Sequence, residues 1–283
     1  ALSTDNGEEL WRSMLPSEAV AMASADEQRV FVQTVDGRVT ALEREDGKQA
    51  WSYEAGMPVL SIRGTGAPLV LERLVLTGFA TGKLVALDKV LGIPRWDVRL
   101  GVPDGRSELE RLVDVDGAPV GEGRIIYAAA YHGNLAAISE NGDVIWQESG
   151  SSYTSPELAL GSIYLTLDDD TIQSYDMVTG AQAWKQDQLQ GRGLGQVTAI
   201  GTQLAVGDEE GYVHFLSQVD GEVTGRILLR PRPLHINYPH QGEATNWRLS
   251  RGRDFGIRSN MVETDEGLLV YTNAGELLLL DVK

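Results

Sequence analysis

"VFVQTVDGRVTALEREDGKQAW", Val30 to Trp51, is the stretch on which the fold turns. A run of β-formers leads into Asp36-Gly37, a second run alternates from Val39 to Leu42, and a second turn, Asp46-Gly47, precedes Trp51. Asp-Gly suits a tight hairpin because such turns need positive φ, which glycine adopts freely and Asp or Asn better than most residues. The stretch therefore reads as a meander of short antiparallel strands, the last led by a tryptophan.

The same grammar returns along the chain. "LVLTGFATGKLVALDKVLGIPRW" runs from Leu74 to Trp96, "IIYAAAYHGNLAAISENGDVIW" from Ile125 to Trp146, and "IYLTLDDDTIQSYDMVTGAQAW" from Ile163 to Trp184. A fifth copy, "LAVGDEEGYVHFLSQVDGEVTGR" from Leu204, has Gly225 where the tryptophan is due, and a sixth, "LLVYTNAGELLLLDVK", runs from Leu268 to Lys283. Recurrence of a four-strand unit every 40 to 50 residues or so is the signature of a β-propeller, one blade per copy. The expected fold is all-β, a propeller of four-stranded antiparallel blades spanning residues 1–283 as one domain, with six blade signatures visible. Trp51, Trp96, Trp146 and Trp184 are expected to fill the wedges between neighbouring sheets, since each ring buries roughly 150 to 250 Å². Helical signal is confined to "SELERL", where Ser107 and Glu110 have capping-box spacing.

Composition narrows function. The formal charge is −17, with 41 acidic against 24 basic residues, which opposes binding to nucleic acid or anionic lipid. The absence of cysteine removes disulfides, thiolate nucleophiles and cysteine-ligated metals, and fits a periplasmic protein. No apolar run approaches a membrane span.

The Ala/Leu-Asp/Glu-x-x-x-Gly-x-x-x-Trp pattern of "ALEREDGKQAW", degraded in "SYDMVTGAQAW", resembles the repeat of pyrroloquinoline-quinone-type propellers. Two stretches between repeats are more specific: "MPVLSIRGTGAP", Met57 to Pro68, and "ELERLVDVDGAPV", Glu108 to Val120. With "AAYHGNLAAI" and "LAVGDEEGYVHFL" they make the chain similar to the BamB family, lipoproteins of the outer-membrane β-barrel assembly machinery. The resemblance implies a noncatalytic eight-bladed ring, without cofactor, on the periplasmic face of the outer membrane. It also implies a lipid on an N-terminal cysteine that this chain does not contain, and binding to the POTRA region of BamA, with other subunits reached indirectly. By the same resemblance Leu60, Ile62 and Arg63 of the first stretch, and Asp114 and Asp116 of the second, contact BamA.

The residues agree in kind. Leu60 and Ile62 share one face of an extended segment ahead of Arg63, and Asp114 and Asp116 share one face of another. Apolar anchors beside an arginine are typical of interface hot spots, and paired acids suit either a basic partner or Arg63 itself. The bland reading makes Leu60 and Ile62 strand core and the two aspartates turn residues. Unfolded outer-membrane proteins are a further partner, taken by strand addition at blade edges.

Two features depart from the family pattern. "EELWRSMLP", residues 8–16, reads as the outer strand of an earlier blade, which favours a shortened eight-bladed ring; the alternative is a six-bladed ring closed by that segment. Residues 226–261 form a basic insertion: Arg226, Arg230, Arg232, Arg248, Arg251, Arg253 and Arg258 face only Glu243 and Asp254. Pairing with acidic blades is the favoured expectation, a contact for an acidic partner or lipid headgroup the other.

Rival chemistry is weaker. A quinoprotein dehydrogenase would stack its quinone on a tryptophan floor, whereas these tryptophans occupy recurrent packing positions. A generic propeller binding peptides or sugars at its funnel needs only the fold. Asp168 to Asp170 fall at a hairpin turn and lack the glycine and bidentate glutamate of a calcium loop. His132, His214, His235 and His240 are too scattered for a zinc site. "GRGLGQ", from Gly191, misses the spacing of a phosphate loop.

Overall fold

The computed structural model describes residues 1–56, 58, 65–107, 109–229 and 256–282. Every regular element among them is a β-strand, and every pairing is antiparallel between neighbours in sequence. The chain forms two compact units, Ala1–Pro156 and Glu157–Lys283.

The first unit holds three four-stranded sheets. They are β1 (Ser24–Ala25), β2 (Arg29–Thr34), β3 (Arg38–Glu43) and β4 (Gln49–Glu54); β5 (Leu69–Val70), β6 (Leu74–Phe79), β7 (Lys83–Asp88) and β8 (Pro94–Arg99); and β9 (Val120–Glu122), β10 (Ile125–Ala129), β11 (Asn134–Ser139) and β12 (Val144–Ser149). The second unit repeats the plan with β13 (Glu157–Ala159), β14 (Ser162–Thr166), β15 (Ile172–Asp176) and β16 (Gln182–Gln186), then β17 (Thr198–Ile200), β18 (Gln203–Gly207), β19 (Tyr212–Ser217) and β20 (Val223–Leu228). Its last sheet has three strands among the described residues, β21 (Val262–Thr264), β22 (Gly267–Tyr271) and β23 (Leu277–Leu280).

Burial explains the composition of each strand. The two middle strands of a sheet are covered on both faces, so β3 and β7 carry four consecutive buried positions each, while the fourth strands β8 and β12 are mostly exposed and β4 is half so. A strand covered on both faces reads as a continuous apolar run.

The tryptophans join one sheet to the next. The Trp51 indole N–H donates to the Lys89 carbonyl at 3.0 Å, Trp96 to Glu140 at 2.9 Å, and Trp184 to Gln218 at 3.0 Å, each acceptor lying in the last hairpin turn of the following sheet. Under each ring sits that turn's glycine: Gly92 under Trp51, Gly142 under Trp96 and Gly221 under Trp184, with a β-carbon at any of them falling inside the ring's contact distance. Gly92 is thus demanded twice, by φ of 69° and by the indole above it. Trp11, in the segment read as an outer strand, docks on the first sheet in the same manner, donating to Arg44 at 2.8 Å over Gly47.

The cross-strand partner of the ring adjusts to it. Ala41, Ala86, Ala137 and Ser174 stand opposite Trp51, Trp96, Trp146 and Trp184, and each ladder shifts register just beyond that pair. In the fifth sheet Phe215 faces Gly225. The large side chain here belongs to the other member of the pair, and a β-carbon at Gly225 would meet no described atom within 4 Å.

Candidate partner-binding site

Leaving β8, the chain is tied down at once: the N–H groups of Leu100 and Gly101 both donate to the Gly82 carbonyl, at 2.8 and 3.1 Å. The expected capping box then forms round one turn. The Glu110 N–H donates to Ser107 Oγ at 3.2 Å, and Glu110 Oε2 accepts from Ser107 N–H at 3.2 Å. The Arg111 N–H donates to the Ser107 carbonyl at 3.2 Å, which completes the turn.

From Leu112 the chain lies along the second and third sheets. Val113 and Val115 are buried, and the Val115 side chain rests on Gly78 of β6, where no β-carbon fits. Asp114 pairs with Tyr131 as an isolated antiparallel bridge, its carbonyl accepting the Tyr131 N–H at 2.7 Å. Gly117 backs onto Thr154, and the Ala118 N–H donates to Ser155 Oγ at 2.9 Å.

This threading puts Asp114 and Asp116 together. Asp114 is only 2% exposed, and its carboxyl hydrogen-bonds that of Asp116. Burial pushes Asp116 up to about 6, partly offset by that bond. Asp116 Oδ1 is buried and meets no donor among the described residues. A hydrogen-bonded carboxyl pair with a vacant acceptor is suited to receive a cationic or N–H donor.

The two inter-repeat stretches also meet. Gly66, in the first, packs so closely on Gly117 and Ala118, in the second, that a β-carbon on it would lie 2.7 Å from the Ala118 nitrogen. Leu60, Ile62 and Arg63 lie outside the described residues. So do Arg230, Arg232, Arg248, Arg251 and Arg253 of the basic segment, whereas Arg258 forms an ion pair with Glu209.

Sequence reading missed two other polar groups. Asp170 lies in the hairpin turn as expected, yet it is 9% exposed, takes the left-handed conformation usually given to glycine (φ 61°), and accepts the N–H groups of Gly193 and Leu194 at 2.9 Å each. His214 Nε2 donates to the buried Asp208 carboxylate at 2.8 Å, and Arg192 Nε donates to the same oxygen at 2.7 Å. Burial opposes the charge on Asp208, but bonds from His214, the Tyr212 amide and Arg192 outweigh it and hold its carboxyl below the usual range. Both groups brace loops of the second unit. The signal was present only as an acid at a hairpin position, without its distant partners.

The family model described as outer membrane protein assembly factor BamB matches residues 1–186, well over half of the chain. The chain belongs to the BamB family. A BamB of Pseudomonas aeruginosa is 40% identical over 189 residues, covering 65% of this chain and 50% of its own length. A BamB of Bordetella pertussis is 33% identical over 225 residues, covering 79% and 58%. The chain thus spans about half the length of these curated relatives. Among solved structures, BamB from Moraxella catarrhalis superposes with a TM-score of 0.82 at 28% identity, over 97% of this chain and 76% of that one. A quinohemoprotein alcohol dehydrogenase from Comamonas testosteroni gives 0.64 at 14% identity over 90% of this chain and 51% of that one, a likeness of fold alone.

Proposed function

We propose that residues 1–283 are part of an eight-bladed BamB propeller that serves as a noncatalytic scaffold in outer-membrane protein assembly. Its partner is the POTRA region of BamA, met through Leu60, Ile62, Arg63, Asp114 and Asp116 on the periplasmic face of the outer membrane. Other subunits of the machinery are reached through BamA. The protein is held there by a lipid anchor, and unfolded outer-membrane proteins add as strands to exposed fourth strands such as β12.

The observation that carries the reading is the meeting of the two inter-repeat stretches at Gly66 and Ala118, beside a carboxyl pair whose Asp116 Oδ1 meets no donor among the described residues. A half-buried acidic pair held in a loop between sheets fits a protein partner better than a small substrate. Packing, rather than a quinone floor, occupies four of the tryptophans: Trp11, Trp51, Trp96 and Trp184 each spend the indole N–H on a neighbouring turn and cover a glycine with the ring.

The test is co-purification with the POTRA region. Arg63→Ala and Asp114→Ala should each weaken capture while the circular dichroism spectrum stays that of the wild type. Undiminished capture by the double variant would remove this surface from the account.

A further inference from the structure

The hairpin between β10 and β11, like the Asp170 turn of the fourth sheet, departs from the other four. In the first, second, fifth and sixth sheets the left-handed residue of the corresponding turn is glycine, with φ of 78° at Gly37, 72° at Gly82, 87° at Gly211 and 82° at Gly275. In the third sheet it is His132, with φ of 49°, although Gly133 follows directly. A bulky residue stays left-handed only where its surroundings over-determine it.

Those surroundings are visible. The His132 main-chain N–H donates to Ser151 Oγ at 2.8 Å, and its ring stacks on Tyr131 with centroids 4.0 Å apart and planes 22° from parallel. Nδ1 lies 2.9 Å from the Leu112 carbonyl, which can only accept, so this nitrogen carries the proton. Tyr131 in turn exchanges main-chain hydrogen bonds with Asp114. His132 therefore grips the acidic stretch at Leu112 directly and at Asp114 through its neighbour.

We propose that His132 is a positioning residue for the acidic pair: locked left-handed, it pins Leu112 through Asp116 to the third sheet and so sets the direction in which Asp114 and Asp116 meet a basic group of the partner. The inference rests on the partner-binding reading of those two carboxyls.

The experiment combines amide hydrogen exchange with calorimetric titration of the POTRA region into the whole chain. His132→Gly keeps the left-handed turn and deletes the ring. Exchange at the Asp114 and Tyr131 amides should quicken and affinity should fall, each by about tenfold, the ratio expected when a bond worth about 1.4 kcal/mol is lost, with an unchanged melting temperature. His132→Asn, which tolerates the left-handed conformation and offers a side-chain N–H, should recover part of both. Wild-type exchange and affinity in His132→Gly would overturn the proposal, as would a general loss of melting temperature that Asn does not repair. If His132→Gly does not fold, Ser151→Ala, which removes the acceptor of the main-chain bond, decides in its place with the same expected directions. Should the wild type fail to bind while exchange at Asp114 still responds to His132→Gly, the partner reading falls and the positioning role stands.

Discussion

Trp51 and Asp116 belong to the same unit but meet their surroundings on opposite terms. Trp51 is 8% exposed, has its N–H bonded to Lys89 and covers Gly92, so burial and hydrogen bonding act in the same direction. Asp116 is half-buried against its chemistry: desolvation raises its pKa, its neighbour is another carboxyl, and one oxygen meets no donor among the described residues. The first arrangement recurs along the chain; the hydrogen-bonded carboxyl pair, among the described residues, lies in one inter-repeat stretch, with Glu157 the other carboxyl raised by burial and an acidic neighbour, Glu263. A device repeated in sheet after sheet is explained by packing alone, whereas a single arrangement that costs stability points to something it must bind.

The contrast is breakable by mutation, and the largest effect belongs to the tryptophan. Trp51→Ala should cost about 3 to 5 kcal/mol in denaturant melts, the range for deleting a buried aromatic. A loss below about 1 kcal/mol would mean that the ring carries no packing role.

Next comes the floor beneath the acidic stretch. Gly78→Ala places a β-carbon where Val115 now rests, so it should destabilise by about 1 to 3 kcal/mol, the usual cost of overpacking. It should also weaken partner capture, because Asp114 and Asp116 flank the displaced Val115.

The smallest effect has the opposite sign. The folded state binds a proton on Asp116 more tightly than the unfolded chain does, so the penalty is absent below about pH 4, grows as pH rises, and is complete above about pH 6. Asp116→Asn should therefore raise stability by about 1 to 2 kcal/mol at neutral pH and lose that advantage at about pH 4, as read from urea melts across the range. Equal stabilities at neutral pH would show that burial does not strain this carboxyl.

Much of the fold was legible in local signals. Asp36-Gly37, Asp46-Gly47 and Asn141-Gly142 marked the turns, the recurrent tryptophans marked the fourth strands, and Ser107 with Glu110 marked the capped turn. What stayed hidden needed two distant segments at once. Nothing around Trp51 names the Lys89 carbonyl as its acceptor, and nothing around Asp208 and His214 announces Arg192. For the candidate site, alternation correctly put Asp114 and Asp116 on one face. That Asp114 is buried follows from its bridge to Tyr131, and that bridge depends on a left-handed His132 that the pattern "YHGN" does not reveal.

The central claim is that the carboxyl pair is the centre of a protein-binding surface. Its most direct test is calorimetric titration of the BamA POTRA region into the wild type and into Asp114→Asn/Asp116→Asn. The account predicts saturable binding by the wild type and at least about a tenfold weaker complex with the double variant, folded as the wild type is. Equal affinity for both chains would contradict it.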